Sequence, residues 1–519
     1  MRRELGFEIV KRPLNLVALV LPLLALRSSA ERINQEGRIL GPLLVVTNSI
    51  LFDTNAADNI VSSMQIFPVT NPWNECISNR PLLANSDAMI VQIKSDAGSN
   101  TKLKLFQEMN FVLVPDTQPL VSNRFVTYAG QSDLNGGISP YGLYPTPTNT
   151  PIEGWPTQTG SQTLVQWETN NTTGDDRHSI VVQPGAGFIY ETWEALLVGT
   201  NWQAANGAIF NLNTNGLRTD GYTSGDAAGF PMFPALVRYD ECERGMVEHA
   251  CRLVVVKSRQ QHIYPATHDA GAVPATSTNY PAMGQRLRLK ASFVIPGTWT
   301  KEETALALGL KKYGAMVADN SSSFFSISIT PDDRWGNKFN DIINGGIAIT
   351  NFEVIQTTST NEGPRSPGAP TANAGADQTV SLAGGAQLQG VVIYSNTPTI
   401  LWKLYSGPGT ITFGDATQTN TTASFSAPGV YTLMLSADDG VHAVAYDAVA
   451  ITVTNGITVS ISLNGTNADL SWAGGSPPYV LQHAGTLPAA SWDGVITTSM
   501  TSASVPLSPT NAFFRVQGN

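Results

Sequence analysis

At 519 residues the chain exceeds what one ordinary core can fill, so several domains are expected. Only 13% of residues are charged, while 46 Gly and 32 Pro accompany plentiful Ser, Thr and Asn, the profile of turn-rich β structure outside the cell rather than of a helical cytosolic enzyme. The formal net charge of −10 excludes the broad basic surface that a nucleic-acid partner needs.

Residues 1–30 read as a secretory signal peptide: Arg2, Arg3, Lys11 and Arg12 precede the apolar run LNLVALVLPLLAL, and Ser28-Ser29-Ala30 close it. Pro22 and Arg27 leave that run short of the roughly 20 residues a membrane anchor needs. The mature protein is expected to start near Glu31, without a membrane span, secreted or held at the cell surface or in the periplasm. Of the cysteines Cys76, Cys242 and Cys251, the last two are the pair close enough in sequence to consider for a disulfide. No CxxC or HExxH occurs, which argues against a closed zinc site or a zincin-type peptidase.

A large domain, 31–356, is expected to carry the chemistry. The runs AMIVQI (88–93) and FVLVP (111–115) read as strands or short buried segments, SIVVQ and GFIYETW as a hairpin opened by Asp176, Arg177 and His178, and RLRLKASFV (286–294) as an alternating strand with a basic face. Thr300 and Glu303 form a capping box ahead of Leu306, Leu308 and Leu310, and Gly314 stops that helix. AMVAD and FFSISIT then read as strands, with a short helix at RWGNKFNDIIN.

Residues 357–368 are a linker by composition. Beyond it Lys403 and Arg515 are the only basic side chains. PTANAGADQTVSL, LWKLYSGPGTITF with Trp402, ASFSAPGVYTLMLSADDG and VAITV make residues 369–455 resemble the PKD family of immunoglobulin-like sandwich modules. That resemblance implies a spacer or substrate-presenting module, with Tyr431 as the buried corner tyrosine. Residues 456–519 look like small C-terminal β modules of exported bacterial proteins, which implies surface retention or ligand contact. The fold expected is therefore mainly β: a large β-rich domain with few helices, a PKD sandwich and a small β module.

The first domain itself resembles a family of exported bacterial proteins. The resemblance rests on FPxxNPWN (Phe67–Asn74), PIEG (Pro151–Gly154), DRH (Asp176–His178), the block from Gly207 to RYDE at Glu241, PATH (Pro265–His268), MGQRLRLKA (Met283–Ala291) and Tyr313–Asn320. It supplies positions rather than an activity.

Ionisable residues crowd between Arg238 and Lys290, where eight of the 30 Lys and Arg and three of the six His fall. Arg238, Tyr239, Asp240 and Glu241 follow an apolar segment and are expected at a strand end, where a carboxylate could act as acid, base or nucleophile on a glycosidic bond. Adjacent strand residues face opposite ways, so Asp240 or Glu241 needs a partner from Asp226, Asp220, Glu153, Asp176 or Glu191. The plain alternative is a structural Arg238–Asp240 ion pair. A uronate lyase would instead use His249, His268, Tyr239 and Arg286 or Arg288. His178, His249 and His268 with Asp176 or Asp240 are a candidate metal group, although their spacing does not require one. Trp73, Trp155, Trp193, Trp202 and Trp335 are candidates to stack on sugar rings or, more plainly, core residues.

The expectation is a secreted, monomeric, endo-acting glycoside hydrolase on a polysaccharide. Asp240, Glu241, Asp226 and Asp176 would be catalytic, while Arg238, Tyr239, His178, His249, His268, Arg286, Trp73 and Trp202 would bind substrate. No cofactor is called for; a structural calcium ion stays open. The alternatives are a uronate-polymer lyase and a non-enzymatic glycan- or surface-binding protein.

Overall fold

The computed structural model describes residues 32–170, 176–357, 368–475, 477–485, 489, 491–506 and 513–518. The expected signal peptide lies outside the described residues, as does the linker except for Thr357 and Gly368. Strands dominate the described chain.

Between 32 and 357 the largest sheet has six strands in the order Phe352–Val354, Arg286–Leu289, Ala315–Asn320, Cys251–Val255, Phe325–Ile329, Leu103–Gln107. Its register is mixed: Cys251–Val255 runs parallel to Ala315–Asn320 and antiparallel to Phe325–Ile329. A second sheet has the order Ile50–Leu51, Val112–Leu113, Ser179–Gln183, Phe188–Trp193, Asn206–Asn211. A third joins Tyr141–Tyr144, Val121–Phe125, Asn201–Ala204 and Leu196–Val198. One core fuses the first two sheets, for Ile180, Val182 and Ile189 pack in the same cluster as Leu253, Val317 and Ile327. SIVVQ is buried at all five positions, as a continuous apolar strand between two covering layers must be.

Five α-helices surround these sheets among the described residues: α1 (Asn55–Ser63), α2 (Ser86–Asp96), α3 (Leu164–Thr169), α4 (Tyr239–Arg244) and α5 (Lys301–Lys312). α5 has the expected start, with both halves of the Thr300/Glu303 capping box formed, and Gly314 follows at φ 69°.

Three expectations change. AMIVQI lies inside α2, where Met89, Ile90 and Ile93 are buried at helical spacing while Val91 is 67% exposed. Only Arg286–Leu289 of the basic run is a strand; the chain then turns, with Phe293 N donating to Lys290 O. Tyr239–Arg244 is not a strand end but α4, with Asp240 and Glu241 in its first turn, Arg244 in its last and Gly245 closing it at φ 100°.

Residues beyond 368 form two small β units. In the first, the sheet Gln378–Ser381, Ala445–Thr454, Gly429–Asp438, Thr399–Ser406 faces the sheet Ala386–Gln389, Asn420–Phe425, Ile411–Phe413 across a core of Trp402, Tyr431, Leu433, Leu435 and Ile451. Trp402 sits in a sheet strand and the buried Tyr431 hydroxyl donates to Ala427 O at 2.8 Å, as a corner tyrosine does. The second unit has two three-stranded sheets around Leu470, Trp472, Tyr479, Leu481 and Phe514. No helix among the described residues is long and apolar enough to cross a membrane.

Candidate functional site

Two clusters of charge in the first domain take up part of the expected site residues. The first begins at the PIEG loop. Gly154 N donates to Glu108 O at 3.0 Å, Asn110 Nδ2 to Ile152 O at 2.9 Å, and Glu153 N to His178 O at 2.8 Å. Gly154 allows the turn, at φ 80°. These bonds bring Glu153 to the end of strand Leu103–Gln107, beside Glu108, and to the start of strand Ser179–Gln183, beside His178.

His178 is buried, with Nδ1 2.7 Å from Glu153 Oε2 and Nε2 2.6 Å from Gly225 O. Both ring nitrogens meet acceptors, so the ring carries both protons. Burial opposes this, but the Glu153 charge and hydrogen bond outweigh it and raise the pKa to about 9. The same pairing outweighs burial at Glu153 and lowers its pKa. Glu108 goes the other way. Burial first, and then the Glu153 charge, push it up to about 7, although Ser328 Oγ donates to Glu108 Oε1 at 2.8 Å.

Arg252 completes the cluster from strand Cys251–Val255. Its guanidinium grips Asp226 at 3.1 and 3.2 Å, reaches Asp319 at 2.8 Å and donates to Ser328 Oγ at 3.3 Å. Burial raises Asp226 to about 6 against the pull of Arg252. His178, Arg252 and Asp226 lie deepest, their side chains 3%, 3% and 1% exposed, against 13% for Glu153 and 25% for Asp319. Asp176, exposed at the surface, accepts from Trp193 Nε1 at 3.4 Å. Trp193 in turn lies near Tyr128, ring centroids 5.9 Å apart and 32° from parallel.

The second cluster surrounds α4. Arg238 pairs with Glu241, and Arg244 donates to Asp240 Oδ2 at 2.6 Å and lies 3.5 Å from Glu248. His249 Nδ1 donates to Ala250 O at 2.7 Å, and Nε2 lies 3.0 Å from Glu241 Oε2. Burial, and then the Arg238 charge, hold the imidazole down to about 3 against the Ala250 hydrogen bond and the Glu248 and Asp240 charges. The cavity these groups line holds about 30 Å³, room for a water and not for a sugar ring.

The structure therefore gathers Arg238, Asp240, Glu241 and His249, but separates them from Asp226, which pairs with Arg252, and from Asp176. The remaining expected binders serve the fold. Arg286 is spent on Glu75 at 3.0 Å and on the carbonyls of Pro72, Glu75 and Tyr313, and Arg288 on Glu353 at 2.7 Å, so the two arginines of the expected basic face are already paired, while Lys290 Nζ donates to Thr350 O at 3.0 Å. Trp73 and Trp202 are 3% and 2% exposed and cannot offer a ring to a ligand. Tyr239 is covered by Arg334, 3.9 Å from its ring centroid, and His268 Nδ1 donates to Ala227 O. The three histidines do not converge, and among the described residues no group of three or more His, Cys, Asp or Glu could hold a metal ion. Cys76, Cys242 and Cys251 are all free thiols.

Sequence reasoning missed Glu108, Arg252, Asp319 and Ser328. A lone Arg within CRLVVV and a lone Asp within AMVADN were the signals, since a charge inside a buried strand demands a partner.

The sandwich with its corner tyrosine defines the 368–455 unit as an immunoglobulin-like module. Residues 374–453 are a PKD domain, matching the model of a PKD domain family. Similar solved structures are the PKD domain from KIAA 1837 protein, 19% identical with a TM-score of 0.15, covering 19% of this chain and 91% of that one, and the PKD domain of human KIAA0319, 21% identical with a TM-score of 0.16 and the same coverage. Domains A168-A170 from titin are 16% identical, with a TM-score of 0.15, over 32% of this chain and 73% of that one. No curated protein matches the chain.

Proposed function

We propose that the chain is an exported carbohydrate-active enzyme, a glycoside hydrolase, in which Glu108 and Glu153 divide the acid and base roles first expected of the α4 carboxylates. One observation carries this reading: two neighbouring carboxyls are driven apart in pKa, Glu108 up to about 7 and Glu153 down. At neutral pH that leaves one able to give a proton and one able to take it, the division glycoside hydrolysis requires. Asp176 and Asp319 line the more open side, and the Tyr128–Trp193 pair offers an aromatic surface next to Asp176. The second reading is binding without cleavage: the cavities of about 20 to 30 Å³ bordering this domain enclose no sugar ring, so a glycan would lie on the open surface beside Asp176 and Trp193.

The test is a screen of the purified mature chain against neutral and uronate polysaccharides. New reducing ends that fall about 100-fold or more in the Glu108→Gln variant support hydrolysis. Products with the ultraviolet absorbance of an unsaturated uronate would assign a lyase instead. Saturable binding with no new ends would establish the second reading.

A further inference from the structure

A groove of about 580 Å³ opens on the PKD domain, against cavities of about 20 to 30 Å³ bordering the first domain. It lies along the edge strand Ala386–Gln389 and its neighbour Asn420–Phe425, and ends where the chain bends at Gly390 into Val391–Ile393 of another sheet. The bend admits no side chain: a Cβ on Gly390 would lie 2.8 Å from Leu435 and 2.9 Å from Thr419 O.

Alternation along the two strands sends Leu388 and Ala423 inward and turns Gln387, Gln389, Asn420 and Thr422 outward. Gln387 stands opposite Thr422 and Gln389 opposite Asn420, so the members of each pair are about 5 Å apart. Gln378 Nε2 takes the backbone carbonyl of Gln387 at 2.9 Å, and no hydrogen bond among the described residues occupies any of the four side chains. Across the sheet Ser424 and Thr412 continue the same uncharged surface. Exposed strand edges are ordinarily guarded by charge, and no charged side chain lines this one. Val391 and Ile393, 56% and 69% exposed, share one face of their strand and give the groove an apolar rim.

We propose that this groove is a binding site for an uncharged, hydroxyl-rich ligand, a neutral polysaccharide strand, held by Gln387, Gln389, Asn420 and Thr422 with its ring C–H groups against Val391. Each of those four side chains both donates and accepts, as a sugar hydroxyl does, so bonds to water exchange for bonds to the ligand without stranding a group. The lining has no cation to hold a uronate polymer and no carboxylate to hold a basic peptide. Its volume lies in the range of clefts that take small ligands, with room for a short run of sugar rings. The site stands apart from the Glu108 and Glu153 chemistry and does not rest on it.

The experiment is affinity electrophoresis of the full mature chain through gels containing hydroxyethyl cellulose, galactomannan or arabinoxylan, with alginate as the anionic comparison. At least one neutral polymer is expected to slow the chain while alginate does not, and added salt is expected to leave the slowing unchanged. Gln387→Ala with Gln389→Ala, both at exposed positions, is expected to weaken that retention about tenfold, while Thr412→Ala, on the same sheet beyond the groove, keeps it. Circular dichroism checks that each variant is folded. Slowing by no neutral polymer, by alginate alone, or equally in wild type and the double variant overturns the site. Retention lost in the double variant and kept in Glu108→Gln, with no new reducing ends from wild type, upholds this site and removes the hydrolase reading instead.

Discussion

Arg252 is the residue on which the first cluster depends. Its charge is held at 2.8 to 3.2 Å by Asp226 and Asp319, and removing one member of a buried ion pair strands the other. Arg252→Ala is therefore expected to cost about 3–5 kcal/mol in urea unfolding, whereas Asp319→Asn, at a side chain already 25% exposed, costs less. A cost below about 1 kcal/mol for Arg252→Ala would mean that the Asp226 charge is not buried against it. A lone Arg inside CRLVVV was legible in the sequence as a charge in need of a partner. Its partners were not, since Asp226 and Asp319 lie 26 and 67 positions away and only the sheet brings them to it.

At the scale of the element, α5 was readable because its signals are local. Thr300 Oγ1 accepts from Glu303 N at 3.1 Å, and Thr300 N donates to Glu303 Oε2 at 2.9 Å. Thr300→Ala is expected to lose about 1 kcal/mol of stability, and Thr300→Ser to keep most of it; equal unfolding midpoints for Thr300→Ala and wild type would count against the cap. α2 was misread because AMIVQI, five apolar residues broken only by Gln92, carries no clear period, and which of them face the core is settled only by packing. α4 had its signs in plain sequence, two acids at its start and Arg244-Gly245 at its end, but the apolar segment before it suggested a strand running on. That error carried over to function. Helical placement ties Asp240 to Arg244 one turn later and aims Glu241 at Arg238, so both carboxylates are consumed in the fold.

For the whole molecule, the buried acids set a pH dependence of definite sign. Burial raises Glu168, whose carboxylate oxygens have no hydrogen-bond partner among the described residues, to about 8, Glu108 and Glu191 to about 7 and Asp226 to about 6. The folded chain holds these protons where the unfolded chain has released them, so stability falls as pH rises from the ordinary carboxylate range toward 8. His178, raised to about 9, contributes stability that is full below its unfolded pKa and lost as pH climbs through 9. His249, depressed to about 3, acts in the acid limb instead, withdrawing stability as pH falls below its unfolded value. Thermal unfolding should therefore come several degrees lower near pH 9 than near pH 6, and Glu168→Gln should narrow that gap. A midpoint that rises between those two values would contradict the assignment. At this scale the mainly β architecture and the PKD domain were legible, because alternating strands and the PGVYTL corner are written in consecutive residues.

The proposed chemistry rests on Glu108 and Glu153 titrating apart, and that is open to direct measurement without knowing the substrate. Carboxyl carbon shifts of the two residues, followed by nuclear magnetic resonance across pH and assigned with Glu108→Gln and Glu153→Gln, would read both. The account predicts a Glu108 midpoint at about 7 and a Glu153 midpoint below the ordinary carboxylate range, with the Glu108 midpoint falling once Glu153 is neutralised. Two midpoints together in the ordinary range would leave no protonated acid at neutral pH, and the hydrolase reading would lose its support.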